Sequence, residues 1–142
     1  MNELLPDTTH LTSITVEDVM RHGALTVEAR TCVHDVWDAM RTAQVEHAVV
    51  LENGMCLGVV ALSELWVAWG LELTPSRMRP VIGLVTPAPS IPTRLRLPQL
   101  CQVLLGSRYG VATVVDDDGG LLGLVTADDV LALLARDEDQ EC

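Results

Sequence analysis

The sequence contains no lysine and no long apolar run. All nine basic residues are arginine, against 20 acidic residues, and the formal net charge is −11. A field of this sign repels phosphate backbones and anionic lipid surfaces, so neither nucleic acid nor a membrane is expected as a partner. Hydrophobic residues make up 49% of the chain, yet no apolar run approaches the roughly 18 to 20 residues that cross a bilayer.

A secretory signal is also missing. Such a signal places a basic stretch before an apolar segment, and the first ten residues, MNELLPDTTH, contain neither. We therefore expect a cytoplasmic protein. The 142 residues suffice for one sizeable core but not for a second independent domain of usual size.

Neither cysteine nor histidine occurs in the spacings typical of disulfide or metal motifs. No CxxC and no HxxxH is present, so we interpret the cysteines as reduced thiols and expect no metal. The residues concerned are Cys32, Cys56, Cys101, Cys142, His10, His22, His34 and His47.

Motifs of catalysis are missing as well. The chain has no GxSxG, no P-loop and no HExxH. The run GGLLG at residues 119–123 faintly resembles a dinucleotide loop, but it lies inside a predicted hairpin instead of opening a helix, as a Rossmann fingerprint does. We therefore predict that the protein is not an enzyme.

What the chain does contain is an internal repeat. Residues 16–71 align without a gap onto residues 81–136 through a shared frame, VVxxxGxxLGxV. Self-similarity of this kind predicts two copies of one structural unit. The recurring residues are Val49, Val50, Gly54, Leu57, Gly58 and Val60, matched by Val114, Val115, Gly119, Leu122, Gly123 and Val125.

Each copy contains a predicted β-hairpin. An apolar run, AVVL or ATVV, is followed by a turn signal and a second apolar run. The turn residues Asn53-Gly54 and Asp118-Gly119 tolerate positive φ. Three consecutive aspartates at 116–118 lack the alternating ligands and later glutamate of a calcium loop. They are interpreted as a solvated turn.

A helical period precedes each hairpin, and an apolar helix follows it. Each copy therefore has the order strand, helix, strand, strand, helix, which predicts an α/β (α+β) fold. The apolar positions of the first helix are Cys32, Val33, Val36, Ala39 and Met40 in one copy, and Leu97, Leu100, Cys101, Leu104 and Leu105 in the other.

The repeat divides the chain into five predicted segments. Residues 14–72 and 80–136 are repeat 1 and repeat 2, and residues 73–79 form the linker between them. An amino-terminal lead occupies residues 1–13. The acidic tail DEDQEC at residues 137–142 is expected to be solvated and frayed.

Together with DVM at 18–20, HAVV at 47–50 and VVDDDGGLLGLVTADDV at 114–130, the two copies resemble the cystathionine-β-synthase-type (CBS) domain pair, or Bateman module. The resemblance spans about residues 14–136. It implies tandem repeats with pseudo-two-fold symmetry, each a small sheet packed against two helices, and two clefts that bind adenosyl compounds. Such pairs regulate attached enzymes and channels and also occur alone, which implies an effector protein that the sequence does not identify.

In the family pattern, a glycine, two apolar residues, Ser or Thr, two variable residues and Asp form a site. The hydroxyl contacts phosphate and the carboxylate binds the ribose hydroxyls. Repeat 2 matches at Gly123, Thr126 and Asp129, whereas repeat 1 has Ala61 and Glu64 at the two polar positions. We therefore expect binding mainly through repeat 2. The sequence TADD is also a capping box that stabilises a helix by about 1 kcal/mol without any ligand.

The resemblance also implies backbone contacts with the base from Val85, Thr86, Gly110, Val111 and Ala112. A strand edge and a helix-to-strand turn are the alternative interpretation of these residues. Repeat 1 departs from repeat 2 once more, with Arg21-His22 in place of Thr86-Pro87. The remaining candidates for phosphate contacts, which are equally consistent with solvated side chains, are Arg94, Arg96 and Arg108.

The ligand implied is AMP or a similar adenosyl compound, with ADP, ATP, S-adenosylmethionine and NADH as alternatives. The negative net charge, with Asp128 and Asp129 near the phosphate end, favours fewer phosphates. The competing interpretation is a structural self-association module whose ligand sites have decayed.

Self-association is predicted in either case. Trp66 and Trp69 lie three residues apart on the last helix of repeat 1 and form a broad apolar face. We predict a homodimer with at least one of these indoles at its interface. The alternative is that both indoles fill the core of the monomer.

Overall fold

The computed structural model describes residues 11–71 and 79–141, with side-chain environments for residues 11–67 and 79–136. In the first range the elements are α1 (Val16–Val19), β1 (Arg21–His22), β2 (Thr26–Glu28), α2 (Val33–Ala43), β3 (His47–Glu52), β4 (Met55–Ala61) and α3 (Leu62–Leu71). In the second they are a 3-10 helix (Val81–Leu84), β5 (Ser90–Ile91), α4 (Leu97–Gly106), β6 (Val111–Val115), β7 (Leu121–Thr126) and α5 (Ala127–Glu141). The predicted element order and the mixed α/β class are confirmed.

These elements form two compact units. Residues Ala24–Ala88 form the central unit, and the described residues up to Gly23 and from Pro89 onward form the terminal unit. The boundaries of the units therefore differ from those of the sequence repeats, because each unit combines segments from both.

The central unit is built on a three-stranded sheet in the order β2-β3-β4. Strands β2 and β3 are parallel, and β3 and β4 form the predicted antiparallel hairpin. Asn53 and Gly54 at its tip have φ angles of 54° and 80°, as a two-residue turn with matching twist requires. Helix α2 contributes Val33, Val36 and Met40 to the core. The remaining core residues are Ala29, Ala48, Val50, Val60, Leu65 and Val81.

The terminal unit is built on a four-stranded sheet in the order β1-β7-β6-β5. Its hairpin of β6 and β7 is closed by Asp116, whose Oδ1 accepts hydrogen bonds from the N–H groups of Asp118 and Gly120 over 2.9 and 2.7 Å. The aspartate run thus builds its own turn. The core contains Val16, Met20, Ile91, Leu97, Leu100, Leu104, Ala112, Val114, Val125 and Val130.

Leu105 shares the helical spacing of the α4 stripe but is 85% exposed, because it lies at the edge of the buried face. Helix α5 continues to Glu141 and so includes most of the acidic tail, whose expected fraying stays a prediction. Residues 1–10, residues 72–78, which include most of the predicted linker at 73–79, and Cys142 lie outside the described residues.

The first residues of each repeat, 14–23 in repeat 1 and 80–88 in repeat 2, are called its leading segment. Each leading segment lies in the unit that holds the rest of the other repeat. Strand β1 of repeat 1 pairs with β7 of repeat 2 in the terminal unit. In the central unit, Thr86 of repeat 2 exchanges two backbone hydrogen bonds with Val59 of repeat 1, over 2.8 and 2.9 Å. None of the helices in the described part of the chain has the length and apolar character needed to span a membrane.

The second glycine of the frame, Gly58 in repeat 1 and Gly123 in repeat 2, allows the leading segment of the other repeat to cross close to the strand. Each such close approach is called a crossing. A Cβ on Gly58 would overlap the carbonyl oxygen of Thr86, and a Cβ on Gly123 would overlap that of Arg21. Both glycines are therefore required where the backbone of an incoming segment touches the strand. This close approach explains why the same glycine appears in both copies of the frame.

Candidate functional site

Thr126 and Asp129 form a capping box at the start of α5. The Thr126 N–H donates to Asp129 Oδ2 over 2.9 Å, and the Asp129 N–H donates to Thr126 Oγ1 over 3.2 Å. This reciprocal pair satisfies N–H groups that the first helical turn leaves without intrahelical partners. The box also fixes the position of the carboxylate at the end of β7, next to the positive end of the helix dipole.

The second oxygen of the same carboxylate binds a residue from the other repeat. Arg21 Nε donates to Asp129 Oδ1 over 2.8 Å, and the exposed fractions of the two side chains are 67% and 8%. Asp129 is thus a nearly buried carboxylate with both oxygens engaged. This ion pair follows directly from the pairing of β1 with β7, which places Arg21 opposite Leu124.

Gly110, Val111 and Ala112 also lie beside the capping box. Val111 pairs with Thr126 and Ala112 with Val125 in the β6–β7 ladder, while the Gly110 carbonyl accepts from the Ala127 N–H over 2.9 Å. The side chains of Val111 and Ala112 are buried in the core. These two residues can therefore face a ligand only through their backbone.

Val85 and Thr86, which the sequence resemblance grouped with Thr126 and Asp129, belong to the central unit. They pack against Gly58 of repeat 1, where a Cβ would also come within 2.9 Å of Val85 Cγ1. In the terminal unit, Arg21-His22 pair with Leu124 and Gly123 of the repeat 2 frame. The exchange of leading segments, which leaves each frame next to the lead of the other repeat, accounts for the difference.

The repeat 1 counterpart of the site has a different surface. Ala61 is buried at 4% exposure and offers no hydroxyl, so the first turn of α3 has no Thr at this position. The neighbouring leading segment contributes Thr86 in place of a charged residue. Glu64 carries the only carboxylate of the ALSE stretch.

Two of the three arginines proposed as phosphate ligands, Arg94 and Arg108, have other contacts. Arg94 Nη1 lies 3.3 Å from Asp117 Oδ1, in a pair with both side chains largely exposed. The guanidinium of Arg108 lies 5.3 Å from the centre of the Tyr109 ring. Arg96 is exposed and precedes the first residue of α4.

Trp66 lies on the surface of the central unit, and its side chain is 57% exposed, as is that of Val67. Its ring meets Trp37 edge-on, with ring centres 5.8 Å apart. The alternative interpretation, that both indoles fill the monomer core, therefore does not hold for Trp66. The side chain of Trp69 lies outside the described residues.

Within residues 11–71 and 79–141, no group of three or more His, Cys, Asp or Glu side chains is arranged to hold a metal ion. Cys32, Cys56 and Cys101 are free thiols.

A family model named CBS domain matches residues 16–65 and 79–136. The two matched ranges together cover more than half of the chain and fall one on each repeat. The chain belongs to the CBS domain family. Because both repeats match, it carries a CBS pair.

Among curated proteins, the magnesium and cobalt efflux protein CorC of Vibrio cholerae serotype O1 is 32% identical to this CBS pair over 84 residues. The match covers 59% of this chain and 28% of CorC. The match thus spans under a third of the length of that relative.

Solved structures of CBS pairs share the fold. The CBS domain of the bacterial CNNM/CorC family Mg²⁺ transporter superposes with a TM-score of 0.77 at 21% identity, covering 91% of this chain and 79% of that one. The CBS-pair protein CBSX2 of Arabidopsis thaliana gives a TM-score of 0.75 at 23% identity, with coverage of 90% and 99%. A structure of CBSX2 in complex with AMP gives 0.73 at 25% identity, with coverage of 88% and 98%.

Arg21 is the site residue whose role the sequence did not reveal. It was noted only as a departure of repeat 1 from repeat 2, since the alignment compares Arg21 with Thr86. The one available signal was charge, because Arg21 is a basic residue near the start of repeat 1 and Asp129 is an acidic residue that follows the repeat 2 frame.

Proposed function

We propose that this CBS pair binds an adenosyl ligand of the AMP type through Thr126 and Asp129, and that the bound state regulates an effector protein. The observation that carries the proposal is the fixed, nearly buried Asp129 carboxylate beside the Thr126 hydroxyl at the start of α5. A carboxylate accepts two hydrogen bonds from a vicinal diol, and a helix start favours an anion. The ribose diol can therefore bind the Asp129 carboxylate, and the phosphate can bind at the start of α5 beside Thr126.

The choice of AMP rests on charge and on a relative. Asp128 and Asp129 lie in the first turn of α5, where each added phosphate increases repulsion. CBSX2 has been crystallised with AMP, which supports an adenosine phosphate as the first ligand to test. ADP, ATP, S-adenosylmethionine and NADH are the alternatives, and the cytoplasmic location expected from the sequence stays a prediction.

Calorimetric titration with AMP tests the proposal, and we expect about one molecule bound per chain. A thermal-shift panel of the five candidate ligands identifies the preferred one. A ligand at 100 times its Kd stabilises the protein by about 2.7 kcal/mol, which raises Tm by roughly 5 to 10 °C in a chain of this size. Saturating concentrations of all five ligands without heat or Tm change would exclude the proposed function.

The difference between the repeats predicts that a second site can be restored. Ala61→Thr with Glu64→Asp supplies repeat 1 with the hydroxyl and the shorter carboxylate of the repeat 2 pattern. We expect the calorimetric stoichiometry to rise from about one toward two AMP per chain. The wild-type longer Glu64 carboxylate displaces the acceptor, and loss of one charge-assisted hydrogen bond weakens a site by roughly 10- to 100-fold.

The single variant Glu64→Asp is the matched control, because it supplies the shorter carboxylate without the hydroxyl. Its stoichiometry should stay near one when AMP is used. Two equally tight AMP sites in the wild-type chain would contradict the prediction that repeat 2 binds AMP and repeat 1 does not.

A structural module with decayed ligand sites is the second candidate function. It is favoured by the engagement of both Asp129 oxygens within the protein. A second Thr-x-x-Asp stretch at Thr15 also caps a helix, since the Thr15 N–H donates to Asp18 Oδ2 over 3.0 Å. The AMP titration separates the two candidates.

We also propose that the protein is a homodimer with Trp66 at the interface. Trp66 and Val67 expose more than half of their side chains on the same turn of α3, and large aromatic residues are enriched at such interfaces. Light scattering at tens of micromolar should give the mass of two chains. Trp66→Glu should reduce it to one.

The control is Leu131→Glu, which places the same charge at an apolar residue of α5 that is 61% exposed. This variant should remain dimeric. A monomeric mass for the wild-type chain would remove the proposed dimer.

A further inference from the structure

The capping box and the ion pair together occupy the whole Asp129 carboxylate. Oδ2 accepts from the Thr126 N–H within the same turn, and Oδ1 accepts from Arg21 Nε. A ribose diol needs acceptor oxygens, so its binding must displace one of these two donors. The Thr126 N–H is fixed by the fold of the turn, whereas Arg21 reaches the carboxylate through a long, 67% exposed side chain. Arg21 is therefore the donor that moves.

Displacement by a ribose alone exchanges a charged donor for neutral ones. The hydroxyl groups of a nucleoside bond to the carboxylate but leave the guanidinium without its anionic partner, and no group of a nucleoside replaces that lost charge pair. A phosphate on the ligand changes this balance, because a guanidinium binds phosphate oxygens in a bidentate manner. Among the described residues, the two Nη groups of Arg21 have no hydrogen-bond partner. They are available for such a phosphate.

The adjacent histidine has a separate partner. His22 Nε2 lies 3.3 Å from Glu17 Oε2, in a pair of largely exposed side chains. Asp128, next to Asp129, is exposed and carries a negative charge. In the stretch that borders the Asp129 carboxylate, Arg21 is thus the cation placed to meet an anionic ligand group.

We infer that Arg21 is a specificity-determining residue of the proposed site: it holds the ribose acceptor of Asp129 when no ligand is bound and selects phosphorylated ligands over nucleosides. This inference rests on the proposed function of the same site. It assigns to the leading segment of repeat 1 the recognition of a ligand held by repeat 2. A phosphorylated ligand replaces the Arg21–Asp129 pair by two new pairs, which are Asp129 with the ribose hydroxyls and Arg21 with the phosphate. A nucleoside supplies only the first of them.

Calorimetric titration of the wild-type chain and Arg21→Gln with AMP and with adenosine tests the inference. We expect the wild-type chain to bind AMP at least about 10-fold more tightly than adenosine, as one charge-assisted hydrogen bond implies. In Arg21→Gln the ratio should fall to roughly 3-fold or less, with AMP bound more weakly and adenosine more tightly. Tighter binding of adenosine to Arg21→Gln is expected only if Arg21 competes with the ribose for Asp129. A residue that only supports the fold would not produce this gain in affinity when it is replaced.

Two further variants serve as controls. Arg136→Gln removes one positive charge from an exposed position on α5 and should leave the ratio unchanged. Arg21→Lys keeps the charge and should retain most of the preference for AMP, since lysine also binds phosphate. If Arg21→Gln does not fold, Arg21→Met removes the same charge and is used in its place, with the same expected fall in the ratio.

An AMP-to-adenosine ratio in Arg21→Gln that equals the wild-type ratio would overturn the role of Arg21 and leave the proposed function in place. An adenosine affinity that falls together with the AMP affinity would also overturn it. Absence of binding of either ligand to any of the four proteins would overturn the proposed function itself, and the inference with it.

Discussion

Gly123→Ala should destabilise the terminal unit by about 3 kcal/mol, at the upper end of the usual cost of overpacking, and lower its Tm by roughly 10 °C. The new Cβ would overlap the Arg21 carbonyl oxygen and lie 2.8 Å from the Met20 Cε. Backbone atoms cannot rotate away as a side chain can, so β1 must separate from β7. Urea denaturation monitored by circular dichroism measures the loss.

Gly106→Ala is the matched control. A Cβ on Gly106, the last residue of α4, would have no heavy atom within 4 Å, and alanine is a better helix former than glycine. This variant should leave stability unchanged or raise it by about 0.5 kcal/mol. Equal stabilities for the Gly123 and Gly106 variants would show that the close approach of β1 to β7 does not constrain the sequence.

The same substitution at Gly58 tests the other crossing. A Cβ there would overlap the Thr86 carbonyl oxygen, and Gly58 has a φ of 150°, which side chains rarely adopt. We expect a loss at least as large as that at Gly123, but in the central unit.

Asp129→Ala should weaken AMP binding by at least about 100-fold while costing only about 1 kcal/mol of stability. The binding loss follows from the removal of two hydrogen bonds to a charged acceptor. The stability loss is that of one helix cap, because an ion pair with a largely exposed partner such as Arg21 contributes little. Calorimetry and urea denaturation on the same variant measure the two effects.

Asp128→Ala provides the comparison for Asp129→Ala. It removes the same charge from the neighbouring exposed position in the first turn of α5. AMP affinity should be unchanged or slightly higher, because one negative charge near the phosphate is lost. If Asp129→Ala bound AMP as tightly as the wild-type chain, the carboxylate would be a helix cap alone.

Much of the fold could be predicted because it depends on local patterns. The hairpin turn at Asn53-Gly54 requires positive φ, and few residues other than Asn and Gly supply it at low cost. The apolar stripe of α2 marks the buried face through Val33, Val36 and Met40. The capping box of Thr126 and Asp129 follows from spacing along one helix start.

The partner of each leading segment could not be predicted in the same way. Both frames contain the glycine that admits a crossing backbone, so Arg21 could meet either Gly58 or Gly123 by pattern alone. The choice depends on contacts between residues far apart in sequence, and one sequence without variation among relatives does not contain that information. For this reason the Arg21–Asp129 pair was missed, and the packing of Val85 and Thr86 against Gly58 was not foreseen.

The exchange of leading segments determines how the molecule can be divided. A cut in the linker, which the sequence repeat suggests as the natural boundary, would give two fragments that each carry a segment belonging to the other's sheet. The continuous piece is Ala24–Ala88, so in connectivity the central unit is an insertion within the terminal unit. Two halves cut at the linker should therefore regain their sheets when they are mixed, because each supplies the leading segment that the other lacks. In a half kept alone, Gly58 or Gly123 has no leading segment packed against it.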